Sequence, residues 1–175
     1  MRARQPRRPR PPLDEAALKE LGLAYVARFA TSRGKLADYL RRKLFERGWG
    51  GSGDPPVARI VEWAAEAGFV DDQAYALAKA HSLGGRGFGE RRVGQALRAA
   101  GIEEEDGAAA RDFSRETAEE AALRFARRKR IGPFGPAPVD RRDSERAMAA
   151  MIRAGHGFEL AKHVLSLPSD FDSEA

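Results

Sequence analysis

The 175-residue chain contains no cysteine, which excludes a disulfide framework and any thiolate metal site and suits a reducing compartment. It has three histidines, His81, His156 and His163, and none stands in the paired spacing of a helix-borne zinc site. Long apolar runs are also missing. No stretch approaches the length of uncharged apolar sequence that a membrane-spanning helix needs. Asp14, Glu15, Lys19 and Glu20 break up the segment behind the basic N-terminus, which argues against a secretory signal. Branched apolar residues are few, with 7 Val and 4 Ile against 32 Ala and 14 Leu. Small side chains bury little area each, so the expected core is thin and suits pairs and triplets of helices better than one large globule.

What is present is helix-forming and basic. Apolar residues recur at intervals of three and four, and strand-like alternation is absent, so the fold class expected is all-α. Residues 1–12, with five Arg, four Pro and no acid, read as a disordered basic tail. A first helix is expected from Asp14, as cap, to Thr31, and a second from Ser32, with Leu36, Leu40 and Leu44 as its apolar stripe and Gly48 as its stop. Asp54-Pro55 offers a cap and a first-turn proline for a third, running to Gly68.

The triplet then starts again. Asp71 caps AYALAKAHSL, a glycine stretch turns the chain, ERRVGQALRAAG follows, and a short acidic helix spans about Glu104 to Asp112. RETAEEAALRFARRKR, DRRDSERAMAAMIRAG and GFELAKHVLSL make a third set. In the middle helices Leu40, Leu44 and Gly48 overlay Val93, Leu97 and Gly101, and then Ala147, Met151 and Gly155. A period of roughly fifty residues in a helical chain marks tandem units stacked on their neighbours. The expected architecture is three tandem three-helix repeats, 13–69, 70–113 and 114–167, in an elongated, curved array, with an acidic tail at 168–175.

The stretch SLGGRGFGERR, Ser82 to Arg92, invites a phosphate-cradling reading. Its glycines fall one residue short of the dinucleotide fingerprint, it lacks the Lys-Ser/Thr of a Walker loop, and a helix rather than a strand precedes it. A glycine connector between two helices is the better reading. Catalysis has little to draw on. Glu159 and His163 at i,i+4 read as an exposed helix pair rather than metal ligands, Asp71 and Asp72 as a helix start, and Ser32 and Ser114 as caps. No catalytic, cofactor-binding or metal-binding residue is assigned, and no enzyme is expected.

Charge is more informative. The net charge of +5, with 25 Arg against 6 Lys, suggests an acidic partner such as nucleic acid, although abundant Ala, Gly and Arg also follow from a GC-rich genome. The basic residues cluster at the same place in each repeat. Arg41, Arg42, Lys43 and Arg47 lie on the middle helix of the first, Arg91, Arg92 and Arg98 on that of the second, with Arg86 in the glycine stretch before it, and Arg141, Arg142, Arg146 and Arg153 on that of the third. Arg127, Arg128, Lys129 and Arg130 lengthen the series. One such run is usually a solvated face; recurrence in stacked repeats would align them into one basic stripe.

GFVDDQAYA followed by RGFGERRVGQALRAAGI strongly resembles the RecX family of bacterial recombinase regulators, and SRGKLADYLRRKLFERGW looks like the matching segment of a first repeat. Val70, Asp71, Asp72, Tyr75, Gly87, Phe88, Gly89, Arg92 and Leu97 fall in register, and the likeness spans about Leu13 to Leu167. It implies a modulator that binds RecA recombinase filaments on single-stranded DNA and restrains strand exchange, ATP hydrolysis and coprotease activity; a cytoplasmic monomer is expected, and whether single-stranded DNA is itself a second partner is left open by the sequence. On this reading Phe88 packs into the core between repeats while Arg86, Arg91 and Arg92 face outward. The rival readings are a freestanding helix-turn-helix-like DNA-binding protein, with ERRVGQALR as recognition helix, and a scaffold whose arginines only solubilise it.

Overall fold

The computed structural model describes residues 11–169. Among these it contains nine α-helices, one 3₁₀ turn and no strand beyond an isolated parallel bridge between Leu13 and Trp49. The acidic end beyond 169 and all of the basic tail but Pro11 and Pro12 lie outside the described residues. The chain divides into two compact units between Asp71 and Asp72.

The first unit holds α1 (Glu15–Val26), α2 (Arg33–Arg47) and α3 (Val57–Glu66). Leu18, Leu36, Leu40, Ile60, Val61 and Ala64 meet in its core. Two helix starts follow from side-chain caps, as expected: Asp14 Oδ1 accepts from Ala17 N at 2.8 Å and Ser32 Oγ from Lys35 N at 3.2 Å. Gly48, at φ 79°, ends α2.

Two boundaries differ from expectation. The first helix stops at Val26 rather than Thr31, because Ser32 must be extended (φ −101°, ψ 163°) to cap α2 and the chain needs the intervening residues to turn. Asp54-Pro55 does not start α3, which begins at Val57 after Pro56 with no side-chain cap. A residue before proline is pushed out of the helical region, and Pro55 precedes Pro56.

The second unit holds α4 (Asp72–Gly85), α5 (Glu90–Arg98), α6 (Ala108–Glu116), α7 (Ala118–Lys129), α8 (Arg141–Arg153) and α9 (Phe158–Ser166), with the 3₁₀ turn at Gly132–Phe134. It buries two apolar clusters. Ala76, Ala80, Leu83, Val93, Leu97 and Ala110 form one; Ala122, Phe125, Ala126, Met151, Ala161 and Val164 form the other. Phe88, half-buried, packs against both. Ala supplies many of these positions, so the helices approach closely and a single methyl matters.

Here too the sequence misleads locally. The acidic run at 103–106 precedes α6 instead of forming it, and Arg111 folds back to donate to Glu104 O at 2.6 Å. Ser114 is not a cap. It sits inside α6, buried, with its hydroxyl donating to Ala110 O at 2.8 Å, a bond that keeps a polar side chain satisfied within a helix. The boundary expected at 113/114 therefore falls within a continuous helix. Ser82 to Gly85, read as part of the connector, form the last turn of α4, leaving Arg86–Gly89 as the turn proper.

Candidate partner-binding surface

The α4–α5 turn is tied down by its own chain. Gly87 N donates to Gly84 O at 2.8 Å and Phe88 N to Leu83 O at 3.0 Å, closing the end of α4. Gly89 N donates to Ala154 O at 3.0 Å and Arg91 N to Gly155 O at 3.1 Å, joining the start of α5 to the α8–α9 turn. The amides that a phosphate cradle would point at a ligand are thus bonded to carbonyls of the chain. The glycines are there for geometry. Gly87 sits at φ 76°, and a Cβ on it would lie 2.8 Å from Phe125 N. Gly89 has an ordinary φ, but a Cβ there would lie 2.5 Å from Gly155 O. One permits the turn and the other permits the close approach.

His156 closes the junction. It is 1% exposed, and its Nε2 donates to Gly87 O at 3.1 Å, a carbonyl that only accepts. Nδ1 is buried with no hydrogen-bond partner among the described residues. Burial lowers its pKa from the ordinary 6.5, outweighing the bond to Gly87, so the ring is held neutral.

On this frame the arginines project outward. Arg86, Arg91, Arg92 and Arg98 are all exposed. None has a carboxylate partner among the described residues; Arg92 only approaches Gln95 Oε1 at 3.5 Å. Glu90, the acid of α5, instead faces Arg115 at 3.9 Å. The guanidinium of Arg86 lies 5.2 Å from the Phe88 ring centre and that of Arg128 5.5 Å. Arg128 also donates to Arg86 O and lies over Phe125, so it holds α7 to the turn. Lys79 of α4, which sequence reasoning did not single out, lines the same surface depression as Arg86 and Arg92.

The other basic residues meet different fates. Arg41 pairs with Asp38 at 3.1 Å, and Arg42 and Lys43 pair with Glu46 at 3.8 and 2.5 Å. Arg47 donates Nε and Nη2 to Pro11 O at 3.1 and 2.9 Å, fastening the segment before α1. Arg127, Arg128 and Lys129 form the last turn of α7, where they complement the helix dipole, and Arg130 caps it in the left-handed region at φ 54°. Arg127 also lies 4.9 Å from the Phe134 ring. On α8, Arg141 pairs with Glu145 and Arg146 with Asp143. The exposed helix pair expected between Glu159 and His163 gives way to one between helices, with His163 Nε2 3.6 Å from Glu119 Oε1 on α7. No cluster of three potential metal ligands occurs among the described residues, and no helix there is long and apolar enough to cross a membrane.

No family model matches the chain. The regulatory protein RecX of Myxococcus xanthus (strain DK1622) is 36% identical over 170 residues, 93% of this chain and 90% of the relative. The regulatory protein RecX of Thermobifida fusca (strain YX) is 30% identical over 147 residues, 83% of this chain and 75% of that one. Among solved structures, a crystal structure of regulatory protein RecX has a TM-score of 0.65 at 21% identity, covering 86% of this chain and 70% of its own. That of RecX from Lactobacillus salivarius has a TM-score of 0.63 at 13% identity, covering 86% and 93%. At such identities these two structures speak for the fold alone. The identity to the Myxococcus protein runs through nearly all of both sequences, and on that ground this chain belongs to the RecX family of regulatory proteins.

Proposed function

We propose that the protein docks on RecA recombinase filaments assembled on single-stranded DNA and restrains their strand exchange, ATP hydrolysis and coprotease activity. The observation that carries this reading is the set of exposed guanidinium groups, Arg86, Arg91, Arg92 and Arg98, that lack carboxylate partners within the described residues. Unpaired cations steer an acidic partner and then form charge-assisted bonds with it. The protein acts as a cytoplasmic, monomeric regulator without chemistry of its own. Its three apolar clusters support an organisation in three tandem repeats.

The helix-turn-helix alternative is the weaker reading. A recognition helix presents its N-terminal turn to base edges, whereas the first turn of α5 is bonded to the α8–α9 turn. Co-sedimentation tests the choice. The protein is expected to pellet with recombinase filaments on single-stranded DNA, less so as salt rises, and to slow ATP hydrolysis only when the recombinase is present. Binding to bare duplex at physiological salt, with none to filaments, overturns the proposal.

A further inference from the structure

Between α4 and α5 lies a groove of about 460 Å³. Its cations are Lys79, Arg86 and Arg92, and no carboxylate lines it. Phe88, Ala96 and Ala99 contribute apolar surface. Three like charges around one depression, with no acid to offset them, repel one another, and an anionic occupant relieves that repulsion.

Two features select the kind of anion. A nucleic-acid strand gains from bare aromatic faces on which bases stack and from backbone amides that hold its phosphates. Here the Phe88 ring already carries the guanidinium groups of Arg86 and Arg128. The amides of Gly87, Phe88, Gly89 and Arg91 are bonded within the chain. What the groove offers instead is forked or point-like donors beside a small apolar surface. We infer that it takes an acidic segment of a protein partner, with one apolar side chain over Ala96 and Ala99 and flanking carboxylates on Lys79, Arg86 and Arg92. This rests on the reading that the protein docks on a protein filament, and it names the chemistry of the segment recognised.

The test uses the full chain and does not need the filament. A short peptide of glutamates around a central leucine, a leucine-free polyglutamate of the same length and an oligothymidylate of matching charge are each titrated while amide resonances are followed. The leucine peptide is expected to give saturable shifts in the second half of α4 and in α5. Its affinity should fall about tenfold in Lys79→Ala with Arg92→Ala, and similarly in Ala99→Glu, which places a carboxylate in the groove. Melting curves of both variants establish that they fold.

No saturable binding of the leucine peptide, shifts confined to other surfaces, equal affinity for polyglutamate, or tighter binding of oligothymidylate at these residues would each overturn the inference. Filament co-sedimentation separates the two claims. Peptide binding without filament binding sinks the proposed function and leaves the groove, and the reverse sinks the groove alone.

Discussion

Helices α2 and α5 carry basic clusters that look alike in sequence and differ in the folded molecule. On α2, Asp38 and Glu46 stand three or four residues from Arg41, Arg42 and Lys43 and pair with them, while Arg47 is committed to the Pro11 carbonyl. On α5, Glu90 turns to Arg115 of α6, and Arg91, Arg92 and Arg98 have no carboxylate partner among the described residues. Helical spacing decides the matter, since residues three and four apart are neighbours and adjacent ones are not. Counting arginines overstates a binding stripe; asking which already have an acid one turn away narrows it. By that measure α8 is mixed: Arg141 and Arg146 pair with Glu145 and Asp143, whereas Arg142 and Arg153 are exposed and have no carboxylate partner among the described residues.

The largest expected effect comes from breaking the frame that presents the α5 arginines. Gly89→Ala puts a methyl 2.5 Å from Gly155 O and 2.7 Å from His156 N. Both obstacles are backbone, so relief requires the two turns to separate, and the cost should be about 3 kcal/mol. Gly94 is the control on the same helix. A Cβ there meets only Arg98 Nη1 at 3.5 Å, the end of a flexible side chain. Gly94→Ala should therefore stabilise by about 0.5 to 1 kcal/mol through helix propensity. Urea unfolding of the two variants checks the contrast, and similar behaviour of both would remove the glycine turn from its structural role.

Next in size is the direct test of paired against unpaired charge. Arg91→Ala with Arg92→Ala should weaken co-sedimentation with recombinase filaments by more than about tenfold. Arg41→Ala with Arg42→Ala should weaken it by less than about threefold, because those cations are already partly neutralised by their helix neighbours. Melting temperatures of both should stay near that of the parent, since exposed charges contribute little to folding. Equal losses from the two pairs would mean that intrahelical pairing does not decide which cluster docks.

The folded chain also shows which features were legible beforehand. Asp14 and Ser32 were readable as caps because a cap is a local arrangement, complete within four residues. Gly48, Gly101 and Gly155 were readable as helix stops, and all three take positive φ just beyond the ends of α2, α5 and α8. Ser114 and Asp54 carry the same cap signal and do not cap. For Ser114 the helix simply continues, its hydroxyl satisfied by Ala110 O; for Asp54 two prolines delay the start. The contacts that define the surface join residues far apart in sequence. Gly89 meets Gly155, Arg128 meets Arg86 and Arg47 meets Pro11. No periodicity within a helix announces them. Lys79 shares a groove with Arg86 only because the chain turns after Gly85, and the closeness of Phe88 to Arg128 likewise has no signal in sequence spacing.

A smaller effect follows from His156 beneath the α5 start. Its pKa in the folded chain lies below 6.5, while the unfolded chain takes up the proton near that value. Stability should be fully present above pH 6.5 and should fall as the pH drops through the lowered value, because only the unfolded state accepts the proton readily. His156→Gln keeps an N–H donor for Gly87 O and removes the titration. Thermal melts across mildly acidic pH should show a steeper decline for the parent than for this variant. Parallel curves would assign the acid sensitivity elsewhere, and the contrast between α2 and α5 would then be one of charge pairing alone.

The smallest effect sharpens the comparison from the other side. Glu46 pairs with both Arg42 and Lys43, so Glu46→Gln should release two cations on α2 at once while leaving a polar side chain of similar size. If pairing is what separates the two clusters, this variant should gain filament affinity at low salt, by no more than about threefold, since exposed charges are screened within roughly 10 Å at ordinary ionic strength. Its gain should vanish at high salt, and the helix signal should not change. A combined variant carrying Glu46→Gln with Arg91→Ala and Arg92→Ala distinguishes two ways in which charge acts. Partial recovery of binding means that unpaired charge draws the filament wherever a helix offers it. No recovery, despite the gain in the single variant, means that α5 supplies a shaped contact which charge on α2 cannot replace.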